Sequence, residues 1–377
     1  MPWEAATLLS LRLDFCIQAE TAGCNFSDLC RKFGISREIG YKWLRRYREN
    51  GITALQDRSR QPHSSPGRSS PSLEQAVIDL RLKYPAWGPR KLRALLKDHT
   101  AEPLPSISTV CRILKRHGMI ESKEPEPVYP VVGRFERGSP NELWQMDLKA
   151  AVRLPNGHKI YPVGLLDDHS RYLLGLWMIP GCRESLVIDC WIKAAQLHGL
   201  PESTLTDHGV QFRNEDHVSS AFRVYLWACG VEHTQGRVKH PQTQGKIERL
   251  WGTLKRELLS RREYRDLLSW QSSFDDWREQ YNNIRPHQEL GDEPPASRYR
   301  KSDRPYIEPD RNYRSDYPGS KACQVHPKGE IFFNGRSITI GRGYAGWRVE
   351  VRPISAGCWH VYFRDRFVKE LVFGSEN

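Results

Sequence analysis

Residues 26–51, FSDLCRKFGISREIGYKWLRRYRENG, place Gly40, Trp43, Leu44 and Tyr47 at the i, i+3, i+4, i+7 spacing of a helix face turned inward. The opposite face of the same stretch carries Arg37, Tyr41, Lys42 and Arg45. Ser27 and Ser36 stand where helix starts want a capping hydroxyl, and Phe33-Gly34-Ile35 supplies a short turn between the two helices. The pattern predicts a helix-turn-helix whose second helix shows a basic, outward recognition face.

A second helical pattern occupies 73–120, in LEQAVIDLRLKYPAWGPRKLRALLKDH and SISTVCRILKRHGMI, with Ser106 or Ser108 near the start of its last helix and Gly118 past its end. It reads as a second, winged helix-turn-helix-like module with Arg112 and Lys115 as candidate contacts. From about residue 140 to 290, strand-like and helix-like patterns alternate, which predicts an α/β layer. Within it Trp270, Phe274, Trp277 and Tyr281 recur at helical spacing and read as a core stripe. Over 321–373 the period shortens to that of strands. Asn334-Gly335 between two β-prone runs is a hairpin signal, WRVEVRPI and CWHVYFRDRFVKELVF read as further strands, and a small β-barrel is the natural closure. Stretches rich in Pro, Ser and charge at 59–72, 121–130 and 292–319 separate these pieces and build no core of their own.

Charge sharpens the picture. Across 377 residues, 57 Lys and Arg outnumber 45 Asp and Glu for a net +12, which favours a polyanionic partner. The surplus concentrates in the two helical modules. Between Arg31 and Arg60, nine bases face three acids, and between 73 and 120 nine face four. Phosphates would lie against these faces, so double-stranded DNA is the expected partner. A membrane is excluded by the pattern, because no charge-free run exceeds 11 residues and a span needs about 20. The N-terminus lacks a basic flank before an apolar run and does not read as a secretory signal, which implies a cytoplasmic, nucleoid-associated protein. Nine cysteines with no CxxC pair read as reduced packing residues, and no close Cys pair is followed by a His pair at zinc-ligand spacing.

Three acids in the α/β layer sit at the edges of elements, where ligand sites form in open sheets. Asp147 ends a short strand in LWQMDLKA, Asp207 ends another in STLTDHGVQF, and Glu248 lies in the first turns of a helix in HPQTQGKIERLWGTLKREL. Phosphodiester cleavage with two Mg²⁺ ions needs hard oxygen ligands around the scissile phosphate, and three converging carboxylates without cations would repel one another. Lys255, two helical turns beyond Glu248 on the same face, is placed to grip a phosphate. Asp167 and Asp168 in LLDDHSRY are also possible metal ligands, but polar turn sequence after an apolar strand favours a structural role. His233, His240 and His287 match no ligand spacing and read as surface or hydrogen-bonding residues.

These residues resemble the integrase-like DDE transposases of bacterial insertion sequences, relatives of retroviral integrases, over nearly the whole chain. In that family a strand-borne Asp, a TDNG-like motif and an HPQxxGxxER-like motif supply the metal ligands. Asp147, Asp207 and Glu248 match them, with gaps of 59 and 40 residues between. YNNIRPHQEL at 281–290 is similar to the segment that closes the family's catalytic domain. The resemblance implies a multidomain chain: a helix-turn-helix DNA-binding domain at 1–60, the second module at 73–120, a ribonuclease-H-like catalytic core at 135–290 and the β-barrel at 320–375. It further implies catalysis of 3′-end cleavage and strand transfer with two Mg²⁺ or Mn²⁺ ions per site, Gln244 at the DNA end, and a homo-oligomer on paired ends. One position departs from the family, His208 where Asn is usual. That departure supports a second reading, an inert DNA-binding regulator or domesticated transposase; a plain metal nuclease is a third.

Overall fold

A computed structural model describes residues 7–57, 68–120, 136–209, 212, 219–236, 245–260 and 266–373. It divides into two compact units, Met1–Ser69 and Ser70–Asn377.

The first unit is three helices, α1 (Leu8–Ala19), α2 (Phe26–Lys32) and α3 (Arg37–Asn50), closed by a 3₁₀ turn at Ile52–Leu55. Phe15, Cys16, Leu29, Cys30 and Leu55 form its core. α3 approaches α1 and α2 most closely at Gly40, where a Cβ would lie 2.8 Å from the Cys30 sulfur and 2.9 Å from the Phe15 ring. The turn between α2 and α3 runs through Gly34 at φ +66°, a left-handed conformation that favours glycine. Ser36 caps α3 as expected, but α2 is capped by Asn25, whose side chain accepts from the Ser27 and Asp28 backbone N–H groups. An Asn caps as well as a Ser, and the start of α2 therefore lies two residues earlier than the Ser27 hydroxyl suggested.

The second unit opens with α4 (Pro71–Lys83), α5 (Pro89–Leu96) and α6 (Ile107–Arg116), packed around Val77, Trp87, Leu92, Leu96, Val110 and Ile113. Ser106 accepts from the Thr109 N–H and caps α6. No strand forms among the described residues 68–120, so the expected wing is not seen within this module's described part. This helical module is tied to the turn at 291–293 by two ion pairs, Arg90 to Asp292 at 2.8 Å and Lys97 to Glu293 at 3.0 Å.

A mixed sheet comes next, from β1 (Leu143–Leu148), β2 (Val152–Arg153), β3 (Lys159–Asp167), β4 (Leu173–Ile179), β5 (Ser203–Thr206) and β6 (Glu232–Gln235). β1, β3 and β4 form an antiparallel meander, and β5 then β6 extend it in parallel from the other side of β1. α7 (Glu184–His198) and α8 (Ala221–Ala228) cover one face, burying Trp144, Met146, Val163 and Leu165 against Val187, Trp191, Phe222 and Tyr225. α9 (Gly245–Leu254) and α10 (Leu267–Asn283) cover the other, and the aromatic stripe Trp270, Phe274, Trp277 and Tyr281 is core there. Three antiparallel strands, two parallel additions and helices on both faces make a ribonuclease-H-like layer.

α9 runs directly into a π-helical turn at Lys255–Leu259. Two residues of the 281–290 segment hold this half of the core together. The buried Asn282 amide accepts from the Leu173 N–H at 2.8 Å and donates to the Leu173 carbonyl at 3.0 Å, so a side chain pairs with the start of β4. Arg285 bonds Glu257 of the π turn at 2.9 Å, both side chains nearly inaccessible. Residues 292–319 then run over the core as an extended strap: Leu200 N–H donates to the Arg304 carbonyl at 2.7 Å, and Tyr299 stacks on Tyr172.

The strap leads to β7 (Lys321–Gln324), β8 (Glu330–Phe333), β9 (Arg336–Thr339), β10 (Arg348–Ser355), β11 (Cys358–Phe363) and β12 (Arg366–Val372). Asn334-Gly335 makes the expected hairpin turn, both residues at positive φ. Pairing gives a four-stranded sheet in the order β12-β11-β10-β7 and a separate β8-β9 hairpin, in place of one closed barrel. The sheet shares a continuous apolar core with α8, where Tyr225 meets Trp347.

Candidate active site

Strand alternation decides what β1 offers to each face. Trp144 and Met146 enter the core under α7 and α8, which leaves Gln145 and Asp147 on the side of α9. There the Asp147 Oδ2 accepts the Trp251 indole N–H at 2.7 Å and the Oδ1 accepts the Leu148 N–H at 2.8 Å. Trp251 can lie this close because the residue opposite Asp147 on β3 is Gly164, where a Cβ would sit 3.0 Å from the indole.

β5 runs parallel to β1 with Leu143 opposite Ser203 and Gln145 opposite Leu205. Carried two positions further, that register sets Asp207, the first residue after β5, level with Asp147; neighbouring strands lie about 4.8 Å apart. The Asp207 Oδ1 accepts from the Gly209 N–H at 2.9 Å. Burial raises the Asp147 carboxyl above the ordinary range, and the Asp207 charge adds to the rise; the Trp251 donor, the Leu148 N–H and Lys149 oppose it. Two carboxylates side by side, one of them half-buried, are what a bound dication relieves, and an all-oxygen donor set suits Mg²⁺ or Mn²⁺. Each Asp147 oxygen keeps a lone pair beyond its hydrogen bond.

Glu248 stands exposed in the first turn of α9, three residues before Trp251. Its helix is fixed from two sides. Trp251 ties it to Asp147, and Lys246 reaches Asp168 at 2.6 Å, a carboxylate that is fully buried and also accepts from Gln145 and the Arg137 N–H. Asp167 accepts from the Asn141 and Ser170 N–H groups and the Ser170 hydroxyl, which is turn scaffolding. The oxygens of Asp147, Asp207 and Glu248 do not gather into a cluster with every pair within 4.8 Å. Among the described residues, Cys358, His360 and Glu370 form the group that does. Two cations about 4 Å apart span a wider frame than that.

The candidate DNA contacts lie on the surface of their helices. Arg37, Tyr41, Lys42 and Arg45 are exposed on α3, although one Tyr41 face stacks on Phe26 at 4.2 Å. Arg112 and Lys115 are exposed on α6; the Arg112 guanidinium donates to the hydroxyl of the half-buried Thr109 at 3.3 Å, and Arg116 pairs with Glu74. Lys255 is exposed at the start of the π turn. Gln244 and His240 lie outside the described residues. The His208 Nε2 bonds the Gly236 carbonyl at 2.6 Å, so this imidazole fastens the loop after β5 to the end of β6. His233 is buried against the Thr206 hydroxyl, and burial beside Arg223 pulls it down to about 3.

Sequence reasoning missed Trp251 and Lys246. A faint signal existed for the first: a Trp on an apolar helix face carries an N–H that needs a partner when buried. None existed for the second, because its partner is 78 positions away.

The family described as homeodomain-like domain matches residues 39–114, from within α3 to within α6. The integrase core domain family matches residues 137–241, and a second integrase core domain family matches 229–295; together they span the sheet, α9 and α10. The helical part thus matches a homeodomain-like family and the α/β part an integrase core. The chain is similar to the integrase-like proteins of insertion elements. It is 26% identical over 236 residues to the uncharacterized 39.2 kDa protein of insertion element IS476 of Xanthomonas euvesicatoria, covering 61% of this chain and 65% of that one. The 31.7 kDa protein of IS407 from Burkholderia multivorans is 23% identical, with 60% and 80% covered. The transposase of Staphylococcus aureus transposon Tn552 is 24% identical, and the chain spans 53% of its length. Among solved structures, the magnesium-bound catalytic core of HTLV-2 integrase is 17% identical and covers 43% of this chain and 99% of its own, at a TM-score of 0.34. A simian T-cell lymphotropic virus intasome chain is 15% identical, with 78% and 96% covered, at 0.38. Strand order, not these scores, carries the fold assignment.

Proposed function

We propose that the chain binds the ends of its own DNA element and catalyses metal-dependent 3′-end cleavage and strand transfer, as a homo-oligomer on paired ends. The observation that carries this reading is Asp147 on β1 and Asp207 just past the end of the adjacent parallel β5, beside the helix that bears Glu248. Asp147, Asp207 and Glu248 would hold two Mg²⁺ or Mn²⁺ ions, which would supply charge neutralisation at the phosphate and activation of water or a DNA 3′-hydroxyl. Within the chain, Trp251 orients the Asp147 carboxylate, and the Lys246–Asp168 pair sets the angle of α9 and hence of Glu248. Lys255 and Gln244 contact the DNA backbone near the cut, and the outward bases of α3 and α6 bind duplex phosphates.

The test uses duplexes carrying the element's terminal repeats. Asp147→Asn, Asp207→Asn and Glu248→Gln each abolish Mg²⁺-dependent joining to a target duplex while end binding persists; a variant that still joins ends refutes the assignment. The inert-regulator reading rested on His208. Its bond to Gly236 gives that residue a loop-holding role compatible with an active site, and normal binding without any cleavage by the wild-type chain is the result that would restore the alternative.

A further inference from the structure

Far from the carboxylates in sequence, the C-terminal sheet brings together a set of donors of a different kind. Cys358 and His360 are two residues apart on β11 and so project from the same face, and Glu370 on β12 is the register partner of His360. The Glu370 Oε1 lies 3.4 Å from the Cys358 sulfur and 3.3 Å from the His360 Nε2. All three donor atoms lie within 4.8 Å of one another, and among the described residues this is the group of Cys, His and acidic side chains that does so. The His360 ring is held edge-on by Phe367, with centroids 5.0 Å apart, which limits its rotation.

We propose that Cys358, His360 and Glu370 form a second metal site, selective for a zinc-class divalent cation, that clamps the edge strand β12 onto β11. Sulfur, imidazole and one carboxylate are the donor set that prefers Zn²⁺, whereas the hard oxygens proposed for the catalytic site prefer Mg²⁺. The spacing agrees with a tetrahedral ion. With zinc about 2.3 Å from sulfur and about 2.0–2.2 Å from nitrogen and oxygen, the tetrahedral edges come to about 3.6 Å for S···O and about 3.4 Å for N···O. The distances present are shorter by one or two tenths of an ångström, so binding needs only a slight spreading of side chains. Glu370 is 56% exposed, which leaves the fourth position to water. Ligation replaces the Cys358 thiol proton, which passes to solvent, so binding strengthens as pH rises. The sequence showed no paired-Cys, paired-His motif because this site uses one Cys and one His in a C-x-H strand and takes its acid from the neighbouring strand.

The experiment uses the full chain stripped of metal under reducing conditions, titrated with Zn²⁺ in competition with a chromophoric chelator and separately with Co²⁺. One Zn²⁺ binds per chain, Mg²⁺ does not displace it, and Co²⁺ gives a thiolate charge-transfer band that vanishes in Cys358→Ser and persists in a Cys182→Ser control. His360→Asn and Glu370→Gln, the latter at an exposed position, each weaken Zn²⁺ by at least about tenfold, the loss that even an outer partner of such ions causes. Zn²⁺ raises the melting temperature of the wild-type chain and not of Cys358→Ser. Absence of stoichiometric Zn²⁺, a band that survives Cys358→Ser, or a band lost with Cys182 overturns the proposal. None of these readouts depends on strand transfer, so the outcome is independent of the catalytic assignment.

Discussion

Replacing Trp251 by Phe removes one N–H while keeping an aromatic ring over Gly164. The indole donates to the Asp147 Oδ2 at 2.7 Å, and it is the strongest influence holding that half-buried carboxylate in its ionised form. A hydrogen bond to a charged acceptor contributes about 1.5–3 kcal/mol, which is a factor of roughly 10 to 150 in the balance between ionised and protonated Asp147. The donor stabilises the anion, so its loss lets burial and the Asp207 charge raise the Asp147 carboxyl still further, and the proton competes longer with a cation as pH rises. Mn²⁺ binding, followed by calorimetry over a pH series, therefore loses affinity in Trp251→Phe by up to that factor on the acidic side and converges on wild type at high pH. The packing cost of a smaller ring at a position only 4% exposed appears at every pH and remains below the about 3–5 kcal/mol of truncating a buried Trp to Ala. A loss of Mn²⁺ affinity that does not change with pH would refute the coupling of Trp251 to Asp147, and so would an acid limb left in place.

Lys246→Met leaves the fully buried Asp168 without its cation, and chemical denaturation shows a loss of about 3–5 kcal/mol, whereas a loss below about 1 kcal/mol means the pair does not anchor α9. Burial depresses His198 to about 4, and His233 and His287 to about 3, below their ordinary 6.5. Their stabilisation is complete above that ordinary value and drains away as pH falls below it, at about 1.4 kcal/mol per pH unit for each; urea unfolding across mildly acidic pH measures the slope, and a flat profile contradicts it. Replacing Arg37, Lys42 and Arg45 together by Ala lowers the slope of log K against log salt for duplex binding by about 2.7, at about 0.9 per phosphate contact; an unchanged slope moves the DNA to another face.

Local pattern determined a great deal. Helical spacing around Gly40 and Leu44 placed α3 with its basic face outward, because period and capping are properties of a few neighbouring residues. The stripe from Trp270 to Tyr281 was legible as core for the same reason, and Asn334-Gly335 as a turn. Motif and spacing singled out the three acids as candidates. The capping of α2 by Asn25 shows where local signals compete and the wrong one is chosen.

Other features belong to contacts that no local pattern encodes. The parallel register of β1 and β5 sets Asp207 beside Asp147 across 60 positions, and with that neighbour comes the raised carboxyl. Gly164 matters because Trp251 arrives from a different helix, and Asp168 is scaffold because Lys246 neutralises it in a place water cannot reach. Cys358, His360 and Glu370 become one cluster only when β12 folds back along β11. Periodicity along a chain reports which face of an element is buried; the partner across that face is chosen by strand pairing and packing, so the electrostatics of both proposed sites is a tertiary property.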